Sequence, residues 1–261
     1  KGQALRWLHF KTSGVDQGVR YGLPKGVPVS NTPALSAPGH AEHAFGALLF
    51  LMRKFREIDA ARTRGEWIRR QIGPHMDCVE GKTMVVVGFG GIGQAIARYA
   101  KNFGMKVIVV SRAAQKEDYV DQVVGRDKLG DVVAEADVVS FNTVLTPESR
   151  HMLGAKEIAR MKPTAYILND ARGALIDEAA LAQALKEKRL AGAALDVFSD
   201  EPLLKDSPFW TLDNVFMTPH VSGAGYDSDA KFTALFRKSL KQFLAGEKPD
   251  NVLGPERLTP G

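Results

Sequence analysis

The stretch from Thr83 to Arg112 limits the possible folds more sharply than any other part of this chain. Met84–Val87 is a run of apolar, mostly β-branched residues, the composition of a strand covered on both faces. Gly88, Gly90 and Gly93 follow in the spacing G-x-G-x-x-G. Ile92, Ile96, Tyr99 and Phe103 then recur at helical spacing, and Val107–Val110 makes a second apolar strand. In a strand–turn–helix–strand unit of this kind the first glycine permits a tight turn. The second lets backbone approach a pyrophosphate, and the third lets helix and strand pack closely. The free N–H groups at the helix start carry a partial positive charge toward the same place. The unit predicts a dinucleotide site.

The end of the second strand bears on which dinucleotide. An NAD site usually holds Asp or Glu there, which accepts hydrogen bonds from the ribose hydroxyls. Here the positions are Ser111 and Arg112. A carboxylate would repel a 2′-phosphate, whereas a hydroxyl and a guanidinium bind one. The reading is NADP(H) in preference to NAD(H).

Beyond Arg112, apolar strands at Ala136–Phe141, Ala165–Leu168, Gly192–Val197 and Asn214–Met217 alternate with helical patterns at Lys156–Met161 and Asp177–Arg189, the latter with Asp177 as N-cap. Strands alternating with helices predict an α/β fold, a doubly wound parallel sheet whose ligands lie beyond the carboxyl ends of the strands. The loops Asn142–Thr146, Asn169–Gly173, Asp196–Pro202 and His220–Gly223 therefore fall on one rim. Before the dinucleotide unit, Ala4–Phe10 and Val27–Ser30 read as strands around a turn at Thr12–Asp16. A helix is expected from Pro38 to Trp67, so apolar between Ala44 and Met52 that it must be covered all round, by its own chain or by a second subunit. An amphipathic helix over Asp227–Ala245, with Phe232, Leu235, Phe236, Leu240, Phe243 and Leu244 on one side, closes the chain and is stopped by Gly246. Residues 38–224 are expected to form the dinucleotide-binding domain, and 1–37 with 225–261 a smaller one.

Composition narrows the function. Apolar residues at 44% and charged residues at 25% are ordinary for a globular protein, and no apolar run is long enough to cross a membrane. A net charge of +5 comes from scattered basic residues, which suits anionic small molecules better than nucleic acid. The single cysteine, Cys78, excludes an internal disulfide, and the cytoplasm is the default compartment. His40 and His43 stand three apart beside Glu42 without further ligands nearby, so no metal is expected.

Three ionisable side chains fall on separate rim loops: Arg172, Glu201 and His220. An arginine holds a carboxylate with its fork and stabilises negative charge developing on a carbonyl oxygen. A histidine exchanges a proton near neutral pH, and a neighbouring carboxylate fixes its orientation. With a dinucleotide at the same rim, the set fits hydride transfer to a carbonyl beside a carboxylate.

Asn169–Asp177, Asp196–Leu203 and Thr218–Gly223 resemble the signature motifs of the D-isomer-specific 2-hydroxyacid dehydrogenase family, and Ser111-Arg112 resembles its glyoxylate and hydroxypyruvate reductases. Ser207–Trp210, Asn214–Val215, the Gly88–Gly93 turn and Ala41–Ala44 match it as well. The resemblance implies that Arg172 holds substrate, His220 is the acid/base and Glu201 tunes His220. It implies that backbone at Ser13 and Gly14 holds the substrate carboxylate, and that Gly91 and Ile92 lie on the pyrophosphate. Thr143 is expected near the adenosine half, Ala171 and Asp196 near the nicotinamide, and Gly223 among the cofactor contacts. A small 2-oxo acid substrate, a homodimer built on the long helix, and a flavodoxin-like substrate domain lacking its beginning are further implications. Two departures stand out: Asn142-Thr143-Val144 replaces the usual His-x-Pro, and Asp170 stands where a small residue is usual. Glu201 argues against the formate dehydrogenases, which carry Gln there. Two alternatives stay open: an NAD-dependent member of other specificity, and a dinucleotide-responsive binding module of the corepressor type.

Overall fold

In the computed structural model, which describes residues 5–112, 116–224, 229–255 and 258, the chain opens on two short parallel strands, β1 (Leu8–Phe10) and β2 (Val29–Asn31), joined through α1 (Asp16–Tyr21). Helices α2 (Ala37–Met52), α3 (Phe55–Thr63) and a short α4 (Arg69–Ile72) lead to the glycine unit. That unit folds as β3 (Thr83–Val87), α5 (Gly91–Asn102) and β4 (Lys106–Val110). The alternation continues as β5 (Gln122–Val124), α6 (Leu129–Glu135), β6 (Val138–Phe141), α7 (Ala155–Ile158), β7 (Tyr166–Asn169), α8 (Glu178–Lys186), β8 (Gly192–Leu195) and β9 (Val215–Met217). Helix α9 (Asp229–Leu244) follows.

Strands β3 to β9 form one parallel sheet in the order 5-4-3-6-7-8-9. The chain winds outward from β3 to β5 and then returns to β6 on the other side of β3. That reversal leaves a crevice above the carboxyl ends of β3 and β6, where ligands of such sheets bind. The side-chain period of two divides the core between the faces. Val85 and Val87 join a cluster with Leu129, Val133, Ile167 and Leu185 on one side. Met84 and Val86 join Leu48, Ile96, Val109 and Leu168 on the other. Strands buried on both faces need apolar residues at every position, which is why they read as unbroken apolar runs.

Several sequence expectations need correction. The helix from Pro38 to Trp67 is two helices, because Lys54 turns left-handed (φ 56°) and redirects the chain into α3. Arg56 then donates to the carbonyl oxygens of Asp213 (2.8 Å) and Val215 (2.6 Å), bonds that tie α3 to the start of β9 and that no local pattern announces. Helix α2 buries Ala41, Ala44, Phe45, Leu48 and Met52 against α5 and the sheet of its own chain, one of the two coverings its composition allowed. Strand β5 and helix α1 escape a periodicity reading because they are short. The strand expected at Ala4–Phe10 is Leu8–Phe10, Ala4 lying outside the described residues, and the one expected at Val27–Ser30 is shifted to Val29–Asn31. The helix expected over Lys156–Met161 is a single turn shifted to Ala155–Ile158. Asp177 does cap α8, accepting from the Ala180 N–H at 3.1 Å. Helix α9 crosses back to β1, where Phe236 and Phe243 stack on Trp7 at 5.6 and 5.4 Å. Leu235 and Leu244 do not share that apolar face; both are exposed. The expected start of this helix, 227–228, lies outside the described residues.

Candidate active site

The glycine turn joins β3 to α5, and its glycines do different work. Gly88 is left-handed (φ 95°), and a Cβ there would lie 2.6 Å from the Asn142 carbonyl oxygen and 2.7 Å from the Thr143 nitrogen. A Cβ on Gly93 would lie 2.1 Å from the Gly88 carbonyl oxygen, so the helix can approach the strand only without one. Gly90 faces open space, with no atom within 4 Å of such a carbon. That is the room a pyrophosphate needs at the N-terminus of α5. Gly91 opens α5, and a Cβ there would lie 1.9 Å from the Ala34 side chain, so a glycine is needed for that close approach. The Ile92 side chain packs into the α2-side core, leaving its backbone at the first turn of α5 for the anion. The residues present therefore fit a dinucleotide.

Ser111 and Arg112 follow β4 directly. The Ser111 N–H donates to the Val124 carbonyl oxygen at 3.0 Å, and Arg112 is exposed. Because Val110 pairs with Val124 in parallel register, Arg126 stands level with Arg112 at the ends of adjacent strands. Burial, and then the charge of Arg112, hold the Arg126 guanidinium below its ordinary pKa, while Glu148 opposes them. Sequence reasoning missed Arg126, since its nearness to Arg112 exists only in the sheet register.

The rim loops bring the ionisable trio to one cleft. His220 Nδ1 lies 2.7 Å from Glu201 Oε2, and the other Glu201 oxygen accepts from the Phe198 N–H at 3.0 Å. Both side chains of the pair keep more than a third of their surface exposed, which leaves the imidazole within reach of a ligand. Arg172 leaves the end of β7, its Nη1 donating to the Ala171 carbonyl oxygen at 2.6 Å. Its Nε and Nη2 donate to the two Asp16 oxygens, both at 2.8 Å. The loop at Ser13–Gly14 is held in turn: Asn31 Nδ2 donates to the Ser13 carbonyl oxygen (2.6 Å) and the Ala34 N–H to Ser13 Oγ (3.1 Å).

A polar scaffold lies beneath His220. Asp196 is buried, and its carboxylate accepts from Thr218 Oγ1 (2.6 Å), the Val221 N–H (2.8 Å) and the Ser222 N–H (2.9 Å), while its own carbonyl oxygen accepts from the His220 N–H (2.8 Å). Burial pushes the Asp196 carboxyl pKa up, but the donors on Ser222, Thr218 and Val221 outweigh it and hold it below the usual carboxylate value. Through these bonds Asp196 fixes the 218–222 turn that carries His220. His40 Nδ1 and Ser222 Oγ are 2.8 Å apart, and His43 Nε2 and Thr218 Oγ1 3.0 Å, so α2 braces the same turn. A Cβ on Gly223 would lie 2.9 Å from His40 Nε2, so this glycine is also shaped by α2. Asp170 turns away from Arg172: its buried carboxylate lies 3.4 Å from His40 Nδ1 and accepts no hydrogen bond among the described residues. The Ala41–Ala44 motif carried no hint of these bracing bonds, because they join positions more than 170 residues apart.

Residues 45–222 match the family model described as D-isomer specific 2-hydroxyacid dehydrogenase, NAD binding domain. The chain is 39% identical over 242 residues to a glyoxylate reductase of Thermococcus litoralis, an alignment covering 90% of this chain and 72% of that protein. Among solved structures, it is similar to an NADPH-dependent glyoxylate/hydroxypyruvate reductase from Sinorhizobium meliloti in complex with NADP and sulfate. The TM-score is 0.84 at 27% identity, with 98% of this chain and 80% of that one covered. It is also similar to a D-lactate dehydrogenase from Aquifex aeolicus complexed with NAD and lactic acid, with TM-score 0.81, 29% identity, and 94% and 78% covered.

Proposed function

The chain belongs to the D-isomer-specific 2-hydroxyacid dehydrogenases, NAD(P)-dependent enzymes, and we propose that it reduces a small 2-oxo acid of the glyoxylate or hydroxypyruvate type with NADPH. The observation that carries this reading is the His220–Glu201 pair in one cleft with the Arg172 fork, beside the open face of the Gly88–Gly93 turn. When bound, the dihydronicotinamide supplies a hydride to the carbonyl carbon. His220 gives a proton to the carbonyl oxygen, and Glu201, bonded to Nδ1, leaves Nε2 as the atom that faces the substrate. Arg172 takes the negative charge of the substrate and polarises its carbonyl. Backbone at Ser13 and Gly14 holds the carboxylate from the other side of the cleft, with residues 1–37 and 225–261 acting as the substrate domain.

The preference for NADPH rests on Ser111 and Arg112, and the Sinorhizobium reductase, a protein with NADP bound, supports it. In this reading Thr143, which lies against Gly88, serves the adenosine half, Ala171 and Asp196 the nicotinamide half, and Gly223 is a further cofactor contact. A homodimer formed on α2 completes the reading. The test is a panel of 2-oxo acids assayed with NADPH and with NADH. Glyoxylate or hydroxypyruvate with NADPH is expected to give the highest kcat/KM. Tight NADPH binding without turnover of any 2-oxo acid would favour a dinucleotide-responsive binding module instead.

A further inference from the structure

Arg172 is held by a carboxylate that none of the signature motifs includes. Asp16 opens α1 just beyond the Ser13–Gly14 loop, and its two oxygens meet Nε and Nη2 of Arg172 in a paired side-on fork, 2.8 Å each, across 156 positions of sequence. Two further features give this pairing direction. Nη1 donates to the Ala171 carbonyl oxygen, so three of the five N–H groups of the guanidinium are engaged, and one on each terminal nitrogen remains. The guanidinium also lies directly over Gly14, where a Cβ would stand 1.9 Å from Nη2. The ends of the fork therefore sit beside the backbone of the Ser13–Gly14 loop. The loop has its own anchor, since Val15 is buried in a small apolar cluster with Val29 and Leu253. An ion pair this exposed adds little to stability, and its consequence is orientation.

We propose that Asp16 is a positioning residue. It grips Arg172 by its Nε edge, so that the remaining N–H groups on the terminal nitrogens face a 2-oxo acid lying over Ser13 and Gly14. It thereby joins the two halves of the anion site into one unit. This rests on the reading of Arg172 as the substrate-holding arginine. Burial pushes the Asp16 carboxyl pKa up, but the donors and charge of Arg172, with the charge of His220, bring it below the ordinary value. The grip is thus in place throughout the neutral range.

The test is a double-mutant cycle on the full chain, with glyoxylate and NADPH as substrates. Asp16→Ala is expected to raise KM for glyoxylate about tenfold or more and to lower kcat by less, because the arginine is mispointed rather than lost. NADPH affinity, read by fluorescence titration, is expected to stay within about twofold, since the glycine turn is untouched. Asp16→Asn keeps the size and one accepting oxygen, and is expected to fall between wild type and Asp16→Ala. If Asp16→Ala does not fold, the isosteric Asp16→Asn carries the test. In an Arg172→Lys background, where the fork is gone, Asp16→Ala is expected to change KM by less than about twofold. Multiplicative effects of the two substitutions, or an unchanged or lowered KM in Asp16→Ala, would overturn the proposal while leaving the reductase reading intact. A wild-type chain that reduces no 2-oxo acid would overturn both.

Discussion

His220 occupies the left-handed region of the backbone map (φ 56°), an uncommon place for a residue with a side chain. Its N–H is bound to the Asp196 carbonyl oxygen and its ring to Glu201, and these two bonds over-determine a conformation that it would not adopt alone. His220→Ala removes the proposed proton donor but none of the residues at the glycine turn. Turnover is expected to fall by about 10²- to 10⁴-fold while NADPH still binds, read by steady-state kinetics beside a fluorescence titration. Unchanged turnover would remove His220 from the mechanism. The other decision at this scale is the cofactor. A 2′-phosphate would meet Arg112 in charge-assisted hydrogen bonds worth roughly 1.5–3 kcal/mol each, and even the lower figure gives about a tenfold preference. Ser111→Asp combined with Arg112→Ala supplies a partner for a 2′-hydroxyl and repels the phosphate. The ratio of kcat/KM for NADPH over NADH is expected to drop by at least about tenfold. A wild-type ratio at or below unity would show that Arg112 does not reach the ribose.

Among the elements, the 218–222 turn depends on more distant partners than any other part of the site. Thr218, Val221 and Ser222 bind one buried carboxylate, and α2 reaches over with His40 and His43. The Asp196 carboxyl has its pKa depressed in the folded chain, so its contribution is fully present above the unfolded value of about 3.9. That contribution is lost as pH falls through the lower folded value. Wild type is therefore expected to lose stability steeply below about pH 4, and Asp196→Asn to show a shallower dependence there. At neutral pH the same substitution should cost about 2 kcal/mol or more, since buried donors lose a charged acceptor. Denaturant melts at pH 7 and across pH 2–4 would check both. Equal acid sensitivity of the two proteins would place the linkage elsewhere.

On the scale of the whole molecule, the sheet is the platform and α2 the strut. The helix lies against α5, β7 and β8, and its first turns touch the 218–222 turn. Phe50 meets Phe216 on one side and Phe55 on the other, extending an aromatic edge from α2 to α3. Trp67, just beyond α3, is 90% exposed, and Leu49 and Phe50 are only half-buried within one chain. A large ring exposed to that degree is costly in water, and a second subunit would remove the cost. Sedimentation at about 1 µM is expected to give a dimer, and Trp67→Ala to weaken it. A monomer at that concentration would mean that α2 needs no partner beyond its own chain.

What the sequence determined by itself was local and periodic: apolar runs of strand length, a glycine turn, and a helix cap at Asp177. Polar loops repeated after each strand placed Arg172, Glu201 and His220 on one rim, because a parallel sheet sends all its carboxyl ends the same way. The tertiary structure alone decided what crosses long distances. Lys54 breaks a helix that its neighbours would continue, since the Arg56 bonds to β9 lie 157 and 159 positions away. Arg126 joins Arg112 only through strand register. Asp170, two residues before Arg172, lies against His40 of α2 instead, a contact set by how α2 packs on the loop beyond β7. Asp16, distant in sequence, takes the arginine. Side-chain direction and long-range pairing depend on how elements pack, and no window of neighbouring residues contains that information.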